Sequence, residues 1–198
     1  MHSTPSHLSP KPRAELEDIA RENGLAAFGE YHVSLSLTNL VSLLEQSGEG
    51  ALLGEERRFA ETLLDRGGEL AHAWTAGVLA SIFKLSASLG VVPRTEALGR
   101  MCARVLALAG GLAPKELSTF VGAVSNLDVE VGRELMGALQ GRVVELSAEH
   151  PPRFSAQDVL GLMHAFGRMA VEVTPALGES LQRQVFYEEG IELNPFLR

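Results

Sequence analysis

Cysteine is nearly missing from this chain of 198 residues: Cys102 stands alone. One thiol excludes an intrachain disulfide and a thiolate metal cluster, and it fits a reducing compartment. Basic residues are also scarce. There are 17 Lys and Arg against 25 Asp and Glu, a formal net charge of -8. Affinity dominated by phosphate backbones needs clustered cations, so this balance argues against it, though a local basic stripe remains open. No apolar run approaches the roughly 18 residues needed to span a bilayer. Ser, Gly, Arg and Glu break the apolar stretches. No P-loop, Gly-x-Ser-x-Gly elbow or Gly-x-Gly-x-x-Gly turn is present, and Gly48, Gly50 and Gly54 have the wrong spacing for one. The six histidines are scattered with none four from another, so a helix-borne metal pair is absent. The sequence nominates no enzyme, cofactor, metal or small-molecule substrate.

What is there is repetition. The stretch Leu112 to Leu127 lies over Phe154 to Met169 at an offset of 42 residues, without a gap. The match runs on: Val129, Glu130, Val131, Leu135, Leu139, Gln140 and Val143 recur as Val171, Glu172, Val173, Leu177, Leu181, Gln182 and Val185. A repeat of this length made of two helical patterns signals an α-solenoid, a stack whose members bury their apolar faces against each other. With 45% hydrophobic and 21% charged residues, the chain can fill a substantial core.

Residues 1–13 hold Pro5, Pro10 and Pro12 and no acid. The missing acids weakly suit an organellar targeting segment, but the prolines oppose its amphipathic helix, and the stretch reads as a flexible terminus. Helical spacing runs from Ala14 to Ala27 and from Leu35 to Leu44. It resumes from Glu55 to Leu64, where Gly67-Gly68 is expected to close the helix and Arg66 to serve its C-terminus. Trp74 to Leu85 and Ala97 to Leu108 form the next pair, with Gly110-Gly111 as a stop. The expected pairs are thus 33–68, 70–110, 112–150 and 154–188, within one domain of residues 14–188 followed by a tail, 189–198. Leu85 aligns with Leu127 at 42, whereas Val105 aligns with Val143 at 38, which implies four residues deleted between the helices of the second pair. Four residues is close to one helical turn, so the apolar face survives.

The first helix of the last repeat, Val159-Leu160-Gly161-Leu162-Met163-His164-Ala165-Phe166-Gly167-Arg168-Met169, resembles the organellar octotricopeptide and heptatricopeptide repeat families. Ala165-Phe166 and Met169 fit their pattern; Ala123-Val124 with Leu127, and Ser81 to Leu85, fit less fully. The resemblance covers about residues 70–188 and implies an organellar protein, in a mitochondrion or a plastid. It would handle RNA there or belong to a ribosome, binding rRNA and neighbouring proteins. The acidic balance departs from the basic RNA binders of those families. The endonuclease-like domain that often accompanies the heptatricopeptide form is not in this sequence. The alternative is a purely protein-binding scaffold of a large organellar complex.

Helix geometry names the face opposite the core. In the third pair it carries Lys115, Thr119, Gly122 and Asn126; in the fourth Gln157, Gly161, His164 and Arg168; in the second Ala73, Gly77, Ala80 and Lys84. Stacking would align Lys84, Asn126 and Arg168 into a column, the arrangement by which repeat proteins read single strands. The candidate RNA- or partner-binding residues are therefore Lys84, Lys115, Asn126, Gln157, His164 and Arg168; a merely solvated or helix-packing face is the other reading. Glu130 and Glu172 fit carboxylates placed by helix dipoles. Trp74 reads as packing between repeats rather than as a base platform, and Cys102 as a small core residue. The expected core is Leu117, Phe120, Val124, Leu135, Leu139, Leu162, Phe166, Leu177 and Leu181.

Overall fold

The computed structural model describes residues 27–48, 51–52, 54–149, 153–169 and 171–188, with side chains through Arg183. The terminal segment 1–13, nearly all of the helical stretch that begins at Ala14, and the tail 189–198 lie outside them. The described chain is all-α, with no strand among the described residues. Its α-helices are α1 (Glu30–Ser47), α2 (Gly54–Leu70), α3 (Ala76–Leu89), α4 (Thr95–Leu108), α5 (Pro114–Leu127), α6 (Arg133–Ala148), α7 (Ala156–Arg168) and α8 (Pro175–Glu188). Every residue of the expected core is buried.

Each odd-numbered helix starts with the same local device. A buried apolar residue precedes the N-cap: Phe28, Trp74, Leu112 and Phe154 before Gly29, Thr75, Ala113 and Ser155. Five residues later comes a second buried one, namely Val33, Leu79, Leu117 or Val159. This is hydrophobic-staple spacing, which fixes the angle at which the chain enters the helix. Trp74 thus stands ahead of its helix in extended backbone, not inside it as expected from the sequence, and it is buried. Thr75 and Ser155 cap through their hydroxyls. Ala113 has none, and there the Glu116 carboxylate accepts from the Ala113 N–H at 2.9 Å.

A second device closes the first three pairs. Arg66, Arg104 and Arg142 lie at 38-residue intervals on α2, α4 and α6. Each donates through Nε to the carbonyl of the residue ahead of its partner helix: Phe28, Trp74 and Leu112, all at 3.1 Å. These carbonyls sit just outside the helical ladder, and a charged donor satisfies them well. Arg66, expected to serve the C-terminus of its own helix, ties α2 to the start of α1. Gly67-Gly68 does not stop α2 either. A Cβ on Gly67 would lie 2.9 Å from Met101 Cε, and one on Gly68 would lie 2.5 Å from the Ala97 Cα. The glycines are there for close packing of α2 on α4 and Trp74, so the helix runs through them to Leu70.

The pairs pack in two rows. In one, α1 packs on α3, α3 on α5 and α5 on α7; in the other, α2 packs on α4, α4 on α6 and α6 on α8. Phe83 of α3 meets Phe120 of α5 edge to face, with centroids 4.7 Å apart. Ser118 bonds Asp158 near the N-terminal ends of α5 and α7, and Asn126 bonds Arg168 near their C-terminal ends, so the two helices run parallel.

The structure corrects one register. Helices α3 and α5 are both 14 residues long and end on a left-handed residue, Gly90 or Asp128. Both starts, and those of α4 and α6, differ by 38 residues. The offset between the second and third pairs is 38 throughout, and no deletion separates their helices. The extra length falls after them: α6 has 16 residues against 14 in α4, and its link to the next helix is longer.

Candidate functional site

The odd-numbered helices present the candidate face. Lys84, Lys115, Asn126, Gln157, His164 and Arg168 are all exposed. Their columns follow the corrected register. In α3 the stripe is Gly77, Ser81, Lys84 and Ser88; Ala73 precedes the helix and Ala80 is buried, so neither belongs to it. Lys84 is equivalent to Gly122 and His164, whereas Asn126 and Arg168 are equivalent to Ser88. The three-residue column expected from the sequence is not formed. Lys84 stands one helical turn nearer the N-terminal ends, because a four-residue error is close to one turn and leaves the face unchanged. The other two members do meet: Arg168 donates from Nη1 to Asn126 Oδ1 at 2.8 Å.

At the C-terminal ends of α5 and α7 the stripe opens into a groove of about 740 Å³. The loops before α6 and α8 form much of its wall, where Asp128, Glu130 and Glu172 share the lining with Arg133 and Arg168. Glu130 and Glu172 are exposed in these loops, two residues or more ahead of the helices they precede. The buried Gln140 donates through Nε2 to the Glu172 carbonyl at 3.1 Å, which ties α6 to the following loop. The groove is open and of mixed charge.

Asp158 is the most connected acid of the face. Its Oδ1 accepts from Ser118 Oγ at 2.7 Å, and its Oδ2 accepts from Ser155 Oγ at 2.7 Å and from the Ser155 N–H at 3.3 Å. Partial burial opposes ionisation, but these donors and the Lys115 charge outweigh it and hold the carboxyl below its ordinary value. The group is a helix cap and an inter-helix clasp. Nothing in the sequence flagged it beyond Ser155 and Asp158 at capping-box spacing.

Other chemically suggestive groups are structural. Trp74 is buried, with its carbonyl held by Arg104, and offers no face for a base. Cys102 is half-buried against the core, and desolvation pushes its thiol up to about 11, far from a reactive thiolate. Among the described residues no three His, Cys, Asp or Glu side chains gather to hold a metal, and no helix is long and apolar enough to cross a membrane. No protein-family model matches the chain, and no curated protein is significantly similar to it.

Proposed function

We propose that this chain is a short α-solenoid of four helical hairpins acting without catalysis in an organellar RNA–protein assembly. The assembly proposed is a mitochondrial or plastid ribosome, where the polar stripe meets rRNA and the rest of the molecule meets neighbouring proteins. The observation that carries this reading is the Arg168–Asn126 bond. It joins equivalent side chains of adjacent repeats on an exposed face, and only one guanidinium nitrogen is used in it. Lys84, Lys115 and His164 extend the face toward the N-terminal ends of the helices. Cations of this kind position a phosphate backbone, and amides such as Asn126 and Gln157 can read base edges. The likeness to octotricopeptide and heptatricopeptide repeats supplies the organellar setting.

A protein-only scaffold is the second reading. The net charge of -8 favours it, as does the mixed-charge groove beside Arg168. What co-purifies with the native protein separates the two. Ribosomal RNA together with ribosomal proteins supports the first reading; protein subunits without RNA support the second.

A further inference from the structure

Two of the three steps in the row of odd-numbered helices, α3 to α5 and α5 to α7, show how one helix is covered by the next. On α3 the covered positions are Ala80 and Phe83, and Phe83 lies against Phe120 of α5. On α5 the equivalents are Ser118 and Val121; Ser118 bonds Asp158 of α7, and Val121 is 1% exposed. On α7 the equivalents are Leu160 and Met163. They are 61% and 46% exposed, with Gly167 exposed one turn further on. Large apolar side chains thus stand in solvent at positions that on α3 and α5 are either buried (Ala80, Phe83, Val121) or bonded to the next helix (Ser118).

The polar links between repeats continue in the same way. Asn126 receives Arg168, and Gln140 donates to the carbonyl of Glu172 in the next pair. Their equivalents in the last described pair, Arg168 and Gln182, are exposed. The exposed residues of α7 include no acid.

We propose that α7 is the docking face for a helical hairpin of a partner protein, seated as α5 is on α3 and α7 on α5. The two internal interfaces define the partner's chemistry. Its leading helix runs parallel to α7 and lays an apolar stripe over Leu160 and Met163. An acceptor side chain of that helix meets Arg168, and its first turn carries an acid, as Glu116 and Asp158 do in the chain's own steps. This inference rests on the repeat-stack reading above but does not require RNA.

The test uses the full chain, shown by sedimentation to stay monomeric at the working concentration, and a synthetic peptide of residues 112–149, shown by circular dichroism to be helical under the same conditions, as a probe standing in for the partner hairpin. This hairpin carries the apolar face of α5 and places Asn126 where Arg168 needs an acceptor. Binding is followed by fluorescence anisotropy, with wild type compared with Leu160→Gln/Met163→Gln. Both substitutions lie in solvent and keep the charge, and circular dichroism checks that the fold is intact. The expected result is saturable binding by wild type that the double variant weakens by about tenfold or more. No binding up to about 1 mM probe overturns the proposal. So does equal binding by both proteins. Binding only after removal of residues 189–198 makes the chain's own tail the occupant, and concentration-dependent self-association abolished in the double variant makes it a second copy; either replaces the proposal. An RNA titration of the same variant keeps the readings apart, because Leu160 and Met163 lie outside the polar stripe.

Discussion

Arg168 near the C-terminal end of α7 reaches back across 42 residues to donate a 2.8 Å hydrogen bond to Asn126 near the C-terminal end of α5. Both side chains are exposed, so the bond contributes little to stability. Its effect is to tether the guanidinium of α7 to the side chain of Asn126 on α5. Asn126→Ala should change thermal stability by less than about 0.5 kcal/mol. A much larger loss would mean that the pair is a structural clamp.

The arginine ties are a different matter. Arg142 is mostly buried, donates through Nε to the Leu112 carbonyl, and bonds Glu145 at 3.0 Å. Arg142→Ala leaves that carbonyl without its charged donor, and should cost about 1.5–3 kcal/mol. Arg142→Lys should recover little of this, since an ammonium lacks the fork that serves both partners. Urea unfolding of the two variants checks both expectations; full rescue by Lys would reduce the tie to simple charge.

Two glycines should respond in opposite directions to alanine. Gly137 lies exposed within α6 with open space around its Cβ position, so Gly137→Ala should stabilise by about 0.5–1 kcal/mol through helix propensity. In Gly68→Ala the new Cβ meets backbone of Ala97 at 2.5 Å. Overpacking of about 1–3 kcal/mol should outweigh the same propensity gain. Denaturation midpoints decide; a stabilised Gly68→Ala would show that α2 and α4 can move apart freely.

Phe166 is 1% exposed on α7, and Phe166→Ala should cost about 3–5 kcal/mol. A loss under about 1 kcal/mol in thermal or urea unfolding would contradict the packing of α7.

Asp158 makes stability depend on acid. Its folded-state value is lowered, so the contribution is present above the unfolded value of about 3.9 and fades as pH falls through the folded one. Ser118→Ala should raise the folded value and narrow that window. Carboxyl titration by NMR in wild type and variant measures it directly; an unmoved midpoint would show that the inter-helix bond does not form in solution.

Much of the fold is legible in the sequence, and the reasons are local. The core positions from Leu117 to Leu181 follow helical spacing closely enough to be named from it. The register of the second pair does not, because moving α3 by four residues keeps Leu79, Ile82 and Phe83 on nearly the same face. One signal could have fixed it: Arg66, Arg104 and Arg142 recur every 38 residues. Their partners are backbone carbonyls, which carry no side-chain signature. Gly67-Gly68 misleads because glycine marks a helix end and a close helix crossing alike, and only Ala97 and Met101 on α4 tell them apart. The six stripe residues are placed in solvent by periodicity alone, and the structure agrees. Their columns depend on register, and so the sequence pattern sets Lys84 beside the wrong partners; the residue level with Asn126 and Arg168 is Ser88.

The most direct test of the central claim is an RNA-binding titration of wild type and Lys84→Ala/Arg168→Ala at several salt concentrations. Each phosphate interaction removed should flatten the slope of log affinity against log salt by about one unit. The double variant should bind RNA more weakly, with a shallower slope and an unchanged circular dichroism spectrum. Equal affinity and equal slope, or no RNA binding by wild type, would contradict it and leave the protein scaffold standing.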